Sequence, residues 1–412
     1  MPKAPASASA TASPLPLAGI RVLDLASYIA APVAATVLGD YGADVVKVEP
    51  PGKGDPNRMM HTLAAYPQHE VNYPWHLDAR GKRSLAIDLK DEAAREALYR
   101  LIETADVFII NLPLKVRDRL KLDHATVAAL NPRLIYASFT GYGEKGPDAD
   151  QPGFDANAYF ARAGLLDGCR YDDALPAVVM PAQGDRAAAM ALAMGIMVAL
   201  WNREKTGRGT KVSSSLFANG VWANGNIVQG VLLGAEMPKR PPPHTPRSAV
   251  SNLYRMADER WVQLTVVDEP KQFPVLCKAV DREFAITDPR FATRELRRDN
   301  SPALAAIFAE AFAAQPYPYW RERLKNCGLP FAPINRAAHL RDDEQAVAAG
   351  IFVPTANPEL PLTLAAPFAI ADVTLPPARP GPALGEHSDE ILAEAGLTAE
   401  AIAALKSRGV VE

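Results

Sequence analysis

The sequence predicts an α/β protein, with a Rossmann-like large domain joined to a smaller α+β domain. Three observations carry that prediction. From residue 20 onward, short β-branched runs alternate with amphipathic segments, the pattern of a sheet flanked by helices. At 412 residues the chain exceeds the length at which a single hydrophobic core stops growing. Residues 235–250 (AEMPKRPPPHTPRSAV) are Pro-rich and basic, a composition foreign to a helix interior or a central strand, so a domain boundary belongs there.

The elements follow in order. Residues 20–25 (IRVLDL) and 44–48 (DVVKV) read as strands, because they are near-continuous apolar runs of the kind buried on both faces. A helix over 32–38 lies between them. Residues 82–89 form a strand, and 91–105 (DEAAREALYRLIETA) a helix whose acidic first turn suits the positive end of its dipole. A strand at 106–111 (DVFIIN), a helix near 124–130 and a strand at 133–139 (RLIYASF) extend the Rossmann-like core. After Gly153 the pattern turns helical, at 155–166 and 186–203, before a strand at 210–216 and a helix near 222–233. Beyond the linker, 252–267 (NLYRMADERWVQLTVV) reads as a β-hairpin turning at Asp258-Glu259, with helices around 274–280, 303–314 and 342–349. Residues 354–382 are Pro-rich again, and 390–405 are helical. The domain plan is therefore a disordered Ala/Ser/Pro leader at 1–17, a large domain at 18–230, a small domain at 231–340 opened by the Pro-rich linker, and a 341–412 segment returning to the large domain.

Composition excludes several function classes. A net charge of -3 with scattered Lys and Arg argues against nucleic acid and against a polybasic membrane anchor. The leader has no apolar run of signal-peptide length, and the most apolar later stretch, 187–201, is short for a bilayer span and interrupted by Gly195. Cys169, Cys277 and Cys327 are few, odd in number and far apart, which suits a reducing cytoplasm. None of the seven histidines is paired at metal spacing, so no metal site is expected.

Gly141-Tyr142-Gly143-Glu144-Lys145-Gly146 matches the dinucleotide fingerprint and follows a strand, yet Pro147 to Gly153 cannot open the helix that would carry a pyrophosphate. It reads as a glycine turn. No Ser sits in a nucleophile elbow, which leaves carboxylates as candidate nucleophiles. Asp185, in Gln183-Gly184-Asp185-Arg186, stands at the mouth of the longest apolar helix, where exposed backbone N–H groups favour an anion. It is expected to stay ionised there. Asp is also a preferred N-cap, and local sequence does not separate a cap from a nucleophile.

The ordered motifs go further. Val22-Leu23-Asp24-Leu25 with Ala31-Pro32, Gly42-Ala43-Asp44 through Glu49-Pro50-Pro51, Gly54-Asp55-Pro56-Asn57-Arg58, Lys82-Arg83-Ser84, Asn131-Pro132-Arg133, Gly141-Tyr142-Gly143, Gly184-Asp185, Lys205-Thr206-Gly207-Arg208-Gly209 and Leu384-Gly385-Glu386-His387 together resemble the class III coenzyme A transferases. That family includes formyl-CoA transferase, L-carnitine CoA-transferase and the α-methylacyl-CoA racemases. The resemblance implies an interlocked homodimer and an enzyme that moves CoA from an acyl-CoA donor to a free carboxylic acid, with CoA as substrate and no resident cofactor. It implies that Asp185 is the nucleophile, passing through an aspartyl anhydride and an aspartyl-CoA thioester. Ile29 and Ala30 match the turn lining the thioester, where many transferases carry Gln instead of Ile29. Ile87, Lys90, Asn111, Leu112 and Arg119 match positions that hold CoA, and Pro50 replaces a phosphate-binding Arg. Phe154 and Asp155 match the start of the helix facing the acyl group, where racemases carry His in place of Phe154. A small dicarboxylate with succinyl-CoA as donor is the expected pairing, on the strength of Arg240, Arg247 and Arg255 near the linker. The alternatives are a racemase or isomerase of the same fold, an NAD-dependent oxidoreductase and a non-catalytic CoA-binding protein. The broken glycine fingerprint disfavours the oxidoreductase, and an intact Gly184-Asp185 disfavours the non-catalytic protein.

Overall fold

In the computed structural model, which describes residues 14–412, six parallel strands form one sheet. They are β1 (Arg21–Asp24), β2 (Asp44–Glu49), β3 (Arg83–Ala86), β4 (Val107–Ile110), β5 (Ile135–Thr140) and β6 (Lys211–Ser215), in the order β3-β2-β1-β4-β5-β6. Successive side chains of a strand point to opposite faces, and both faces are covered. Val22, Val45, Val107 and Ile109 face one layer of core; Leu23, Val46, Phe108 and Ile110 face the other. This explains why the strands read as continuous apolar runs. The order reverses between β1 and β4, and in open α/β sheets the crevice beyond the carboxyl ends at such a point receives the ligand.

The helices α1 (Ala30–Asp40), α2 (Tyr73–Asp78), α3 (Glu92–Thr104), α4 (Leu114–Arg119), α5 (His124–Leu130), α6 (Leu165–Cys169) and α7 (Gln183–Thr206) complete the order up to β6. α7 and α1 share one core layer, with Leu192 and Ile196 beside Ala34 and Leu38. At 24 residues α7 is longer than the apolar stretch the sequence suggested, and by length and composition alone it is long enough to cross a membrane. Its buried stripe of Ala188, Ala189, Leu192 and Ile196 is instead the centre of this core. The expected helix over 155–166 is a π-helical turn (Asp155–Ala161) followed by the short α6, and the one expected near 222–233 is two, Leu216–Ala223 and Gly225–Leu232. The C-terminal helix is likewise two, Ser388–Glu394 and Ala399–Ser407, parted at Gly396 with φ near 80°.

The chain divides into two compact units. The first comprises the chain up to Asp167 with Val178–Gln229 and Gly350–Glu412; the second comprises Gly168–Ala177 and Gly230–Ala349. Residues 1–13 of the expected leader lie outside the described residues. Its last residues join the fold, since the Leu17 N–H donates to the Tyr41 carbonyl at 2.9 Å. The second unit contains the predicted hairpin, Leu253–Arg255 with Trp261–Leu264, and Glu259 takes positive φ at its turn. A third antiparallel strand, Phe331–Pro333, extends the hairpin, and the helix Tyr317–Asn326 packs Trp320 and Leu324 into that unit's core; neither element was legible in the sequence.

Candidate active site

The reversal point of the sheet is built on buried charge. Asp24, at the end of β1, pairs with Lys82 at 2.8 Å, and Lys47 of β2 pairs with Asp55 at 2.8 Å, all four nearly inaccessible. Burial alone would raise the Asp24 pKa; the Lys82 and Lys47 ammoniums outweigh it and hold the carboxylate below its ordinary value. The Asp55 carboxylate accepts the N–H groups of Tyr28 (3.0 Å) and Asn57 (2.9 Å), and the Lys47 ammonium donates to the Ala26 carbonyl. These bonds hold the turn after β1 with Tyr28 at φ near 67°, an unusual value for a bulky residue and a mark of a constrained site. From β4, the Asn111 side chain locks the same turn, accepting from the Ser27 N–H and donating to its carbonyl, both at 2.8 Å.

α7 brings in the carboxylate. Its N-cap is Ala182, in the left-handed region, so Asp185 is the third helical residue and not a cap. Gly184 before it is required by space, because a Cβ there would lie 2.7 Å from the ring of Tyr159. Asp155, nearly inaccessible, faces the N–H groups of Ala182, Gln183 and Gly184, and thereby fills the capping place. Burial nevertheless raises its pKa against those donors. Its Oδ2 has no hydrogen-bond partner among the described residues.

Asp185 departs from the expectation that it stays ionised. Burial first, then the neighbouring Asp155 and Asp78 carboxylates, push its pKa up to about 7, with Arg186 opposing. Arg186 is held away as a full counter-charge by Asp78, which it meets at 2.8 Å, and Asp78 also accepts from the Asn57 amide at 3.1 Å.

Two adjoining cavities receive the remaining predicted residues. One, of about 330 Å3, is lined by Tyr28, Ile29, Ala30, Asn111, Phe154 and Asp185. Phe154 is 52% exposed and meets the edge of Tyr28 at 5.3 Å between ring centroids, so it lines the cavity and does not fill core. The other, of about 650 Å3, has an apolar floor including Leu25, Val48 and Ile87, and carries Lys53, Lys90 and Arg119. Ser27, Pro56 and Leu112 line both. Asp155 lies behind the first cavity at the α7 terminus. The loop after Gly141 runs irregularly to Asp155 with no helix after Gly146, as its prolines predict, and Gly141 is set by close backbone approach: a Cβ there would lie 2.8 Å from the Gly153 Cα.

Residues 17–388 match the family model described as CoA-transferase family III. The chain belongs to this family. It is 32% identical over 398 residues, spanning 96% of this chain and 99% of the relative, to (R)-2-hydroxy-4-methylpentanoate CoA-transferase of Clostridioides difficile. It is 30% identical over 401 residues, 94% of this chain and 95% of the relative, to cinnamoyl-CoA:phenyllactate CoA-transferase of Clostridium sporogenes. Among solved structures it is similar to a CAIB/BAIF family protein from Brucella suis, at 30% identity and a TM-score of 0.82, covering 93% of this chain and 100% of that one. The protein is a class III CoA-transferase, an enzyme that moves CoA between acyl groups.

Four residues of this CoA-transferase's site escaped the sequence reading. Lys53 lines the larger cavity three residues after Pro50, where the family resemblance had left a phosphate donor missing. Arg58, the other cation of that stretch, is consumed by a bidentate pair with Glu49, both contacts at 2.8 Å, and by stacking 3.8 Å over Trp75. Asp78 acts on Asp185, and Asp185 in turn on Tyr66, with Asp78 and Tyr66 both in a segment without periodic pattern, and Tyr28 shows its role only through its backbone angle and its contact with Phe154.

Proposed function

We propose that the enzyme transfers CoA from an acyl-CoA to a carboxylic acid with an apolar body, with Asp185 as the nucleophile. The observation that carries this reading is the Asp185 carboxylate at the α7 mouth lining a cavity at the sheet's reversal point, next to a second cavity bearing Lys53, Lys90 and Arg119. The larger cavity suits CoA, its apolar floor taking pantetheine or adenine and its cations the phosphates. Asp185 attacks the donor thioester carbonyl, the C–S bond breaks, and an aspartyl anhydride and CoA thiolate result. The thiolate then attacks the aspartyl carbonyl, giving an aspartyl-CoA thioester and releasing the donor acid as carboxylate. The acceptor carboxylate runs both steps in reverse.

The lining of the Asp185 cavity supports an apolar acid. Its side chains include Tyr28, Ile29, Phe139, Phe154 and Leu216, and no Lys or Arg. The arginines expected to receive a second carboxylate belong to the other unit, where Arg255 pairs with Glu259 at 2.9 Å and Arg240 donates to the Gly168 carbonyl. Both named relatives act on acids with apolar bodies. Succinyl-CoA therefore enters the experiment as one donor among several.

The assembly proposed is a homodimer. Met194, Val198, Trp201 and Trp222 are each 60% or more exposed, an apolar surface that a second copy would cover. The three free cysteines support a reducing, cytoplasmic setting.

Mass spectrometry of the chain given donor acyl-CoA without acceptor tests the mechanism. An acyl- or CoA-sized adduct on the peptide holding Asp185 is expected, along with loss of transfer in a folded Asp185→Asn variant. Near-normal turnover by that variant would refute it. A donor panel including succinyl-CoA, run against branched, aromatic and dicarboxylic acids, reads the specificity; preference for the dicarboxylates would overturn the apolar assignment.

A further inference from the structure

The turn after β1 and the mouth of α7 line one cavity from distant parts of the chain, with Tyr28, Ile29 and Ala30 on the turn and Asp185 on the helix. Attack on a thioester needs the reacting atoms about 3–3.5 Å apart, and a displacement of about 1 Å costs on the order of 100-fold in rate. Turn and helix must therefore stay in register. Three residues that do not line the cavity connect them.

Asn57, in the 3-10 turn Pro56–Thr62, is buried. Its side-chain nitrogen donates to the Tyr28 carbonyl and to Asp78 Oδ2, each at 3.1 Å. Both neighbours are acceptors, so two donors on one nitrogen match them and the amide oxygen would not. The other Asp78 oxygen, Oδ1, accepts from Arg186 at 2.8 Å, and Arg186 follows Asp185 in the first turn of α7. Four segments far apart in sequence are thereby joined in one line from Tyr28 through Asn57 and Asp78 to Arg186. Both ends of the middle section are anchored. The Asp78 carbonyl accepts from the Thr36 hydroxyl of α1, and the Tyr28 N–H donates to Asp55 while its carbonyl accepts from Asn57, which pins both sides of a residue at φ near 67°. The Asn57 Oδ1 atom is buried with no partner among the described residues. An amide whose oxygen is left unpaired adds little to stability, which puts its value in the two bonds its nitrogen donates.

We propose that Asn57 is a positioning residue: acting through Asp78 and Arg186, it fixes the spacing between the turn that lines the cavity and the Asp185 carboxylate at the mouth of α7. The proposal rests on Asp185 being the nucleophile. It needs no contact between Asn57, Asp78 or Arg186 and the substrate, and no proton or bond changes hands among them.

Asn57→Ala and Arg186→Gln cut the line at two places, one buried and one partly exposed. Both are assayed at pH 9, well above the Asp185 titration, so that altered ionisation plays no part. Each should lower kcat, and single-turnover formation of the Asp185 adduct, between 10- and 100-fold, on the scale of a displacement of about 1 Å or less. KM for the acyl-CoA should stay within threefold of wild type, because the larger cavity is untouched. A line acting as one unit is broken only once, so the double variant should be no more than threefold slower than the slower single variant. A merely structural role moves the thermal midpoint and KM, and its two losses multiply. A kcat within threefold of wild type in either folded variant, or a double variant whose loss is the product of the two, overturns the proposal; should Asn57→Ala not fold, Arg186→Gln decides alone by the same kcat limit. Asp185→Asn is run beside them: if it is inactive, a failure falls on the positioning role alone, and if it retains transfer, the nucleophile reading falls and takes this one with it.

Discussion

Asp185 should make the folded protein less stable at neutral pH than at mildly acid pH, and Asp185→Asn should remove that penalty. The carboxyl rises from 3.8 to about 7 on folding, a difference of about three units. The folded state thus holds this proton more tightly than the unfolded chain does. The resulting stability is fully present below pH 4 and is lost as pH rises through 7. At about 1.4 kcal/mol per unit the loss amounts to about 4 kcal/mol as an upper bound. Partial exposure to the cavity reduces it to about 2 kcal/mol. Asn resembles the neutral acid in shape and cannot ionise, so the variant should match wild type near pH 4 and exceed it by about 2–4 kcal/mol at pH 8. A carboxylate serving only the helix dipole gives the opposite sign, a loss of about 0.3–1 kcal/mol in the Asn variant. Denaturant unfolding of both proteins at pH 5, 6.5 and 8 reads the difference directly, because other titrating groups are common to both. An Asn variant less stable than wild type at pH 8 would refute the reasoning. The same group should give kcat/KM an ascending limb near pH 7.

Two further outcomes are expected. Lys53→Glu should raise KM for acyl-CoA by about tenfold, the value of one charge-assisted phosphate contact, with kcat nearly unchanged; an unchanged KM would remove the phosphates from the larger cavity. By the sequence resemblance, Phe154 matches the position where the family's racemases carry His, and a phenyl ring cannot move a proton, so a 2-methylacyl-CoA turned over in heavy water should keep its α-hydrogen; deuterium entering as fast as CoA is transferred would favour racemisation.

Much of the sheet was legible because its strands are local signals. A parallel strand buried on both faces shows as an apolar run: residues 20–25 and 106–111 contain β1 and β4 in full, and 44–48 covers β2 except its last residue, Glu49. Helices were legible where a cap marks them, as at Asp123, whose side chain accepts from the Thr126 N–H at 3.1 Å and starts α5 at His124. The start of α7 was not, because its cap comes from across the chain: Asp155 faces the N–H groups of 182–184, while Ala182 bears no capping atom. The strand Phe331–Pro333 is three residues long, carries two prolines nearby and pairs with a hairpin about seventy residues earlier, as measured by Val262 opposite Pro333. Nothing local distinguishes it from a loop.

The site divides the same way. Gly184-Asp185 was legible as a motif, and its glycine has a physical cause in the Tyr159 ring, but the upward shift of the Asp185 pKa was not legible. The sequence shows a helix terminus, whose field is worth about 0.3–1 kcal/mol to an anion. The fold adds burial and the carboxylates of Asp155 and Asp78, from positions thirty and more than one hundred residues upstream, and these raise the pKa by an amount equivalent to about 4 kcal/mol. The larger effect decides the sign, and it is the one only the tertiary structure contains. That outcome suits covalent exchange better than a firmly ionised group would. A carboxylate of low pKa is a stable leaving group and a weak nucleophile, whereas one near 7 is still substantially ionised in the neutral range and more reactive toward a thioester. In the mechanism proposed above, the cluster that destabilises the charge on Asp185 raises the free energy of the resting carboxylate relative to an uncharged anhydride or thioester, so the cost would fall on the resting enzyme and the gain on the covalent step.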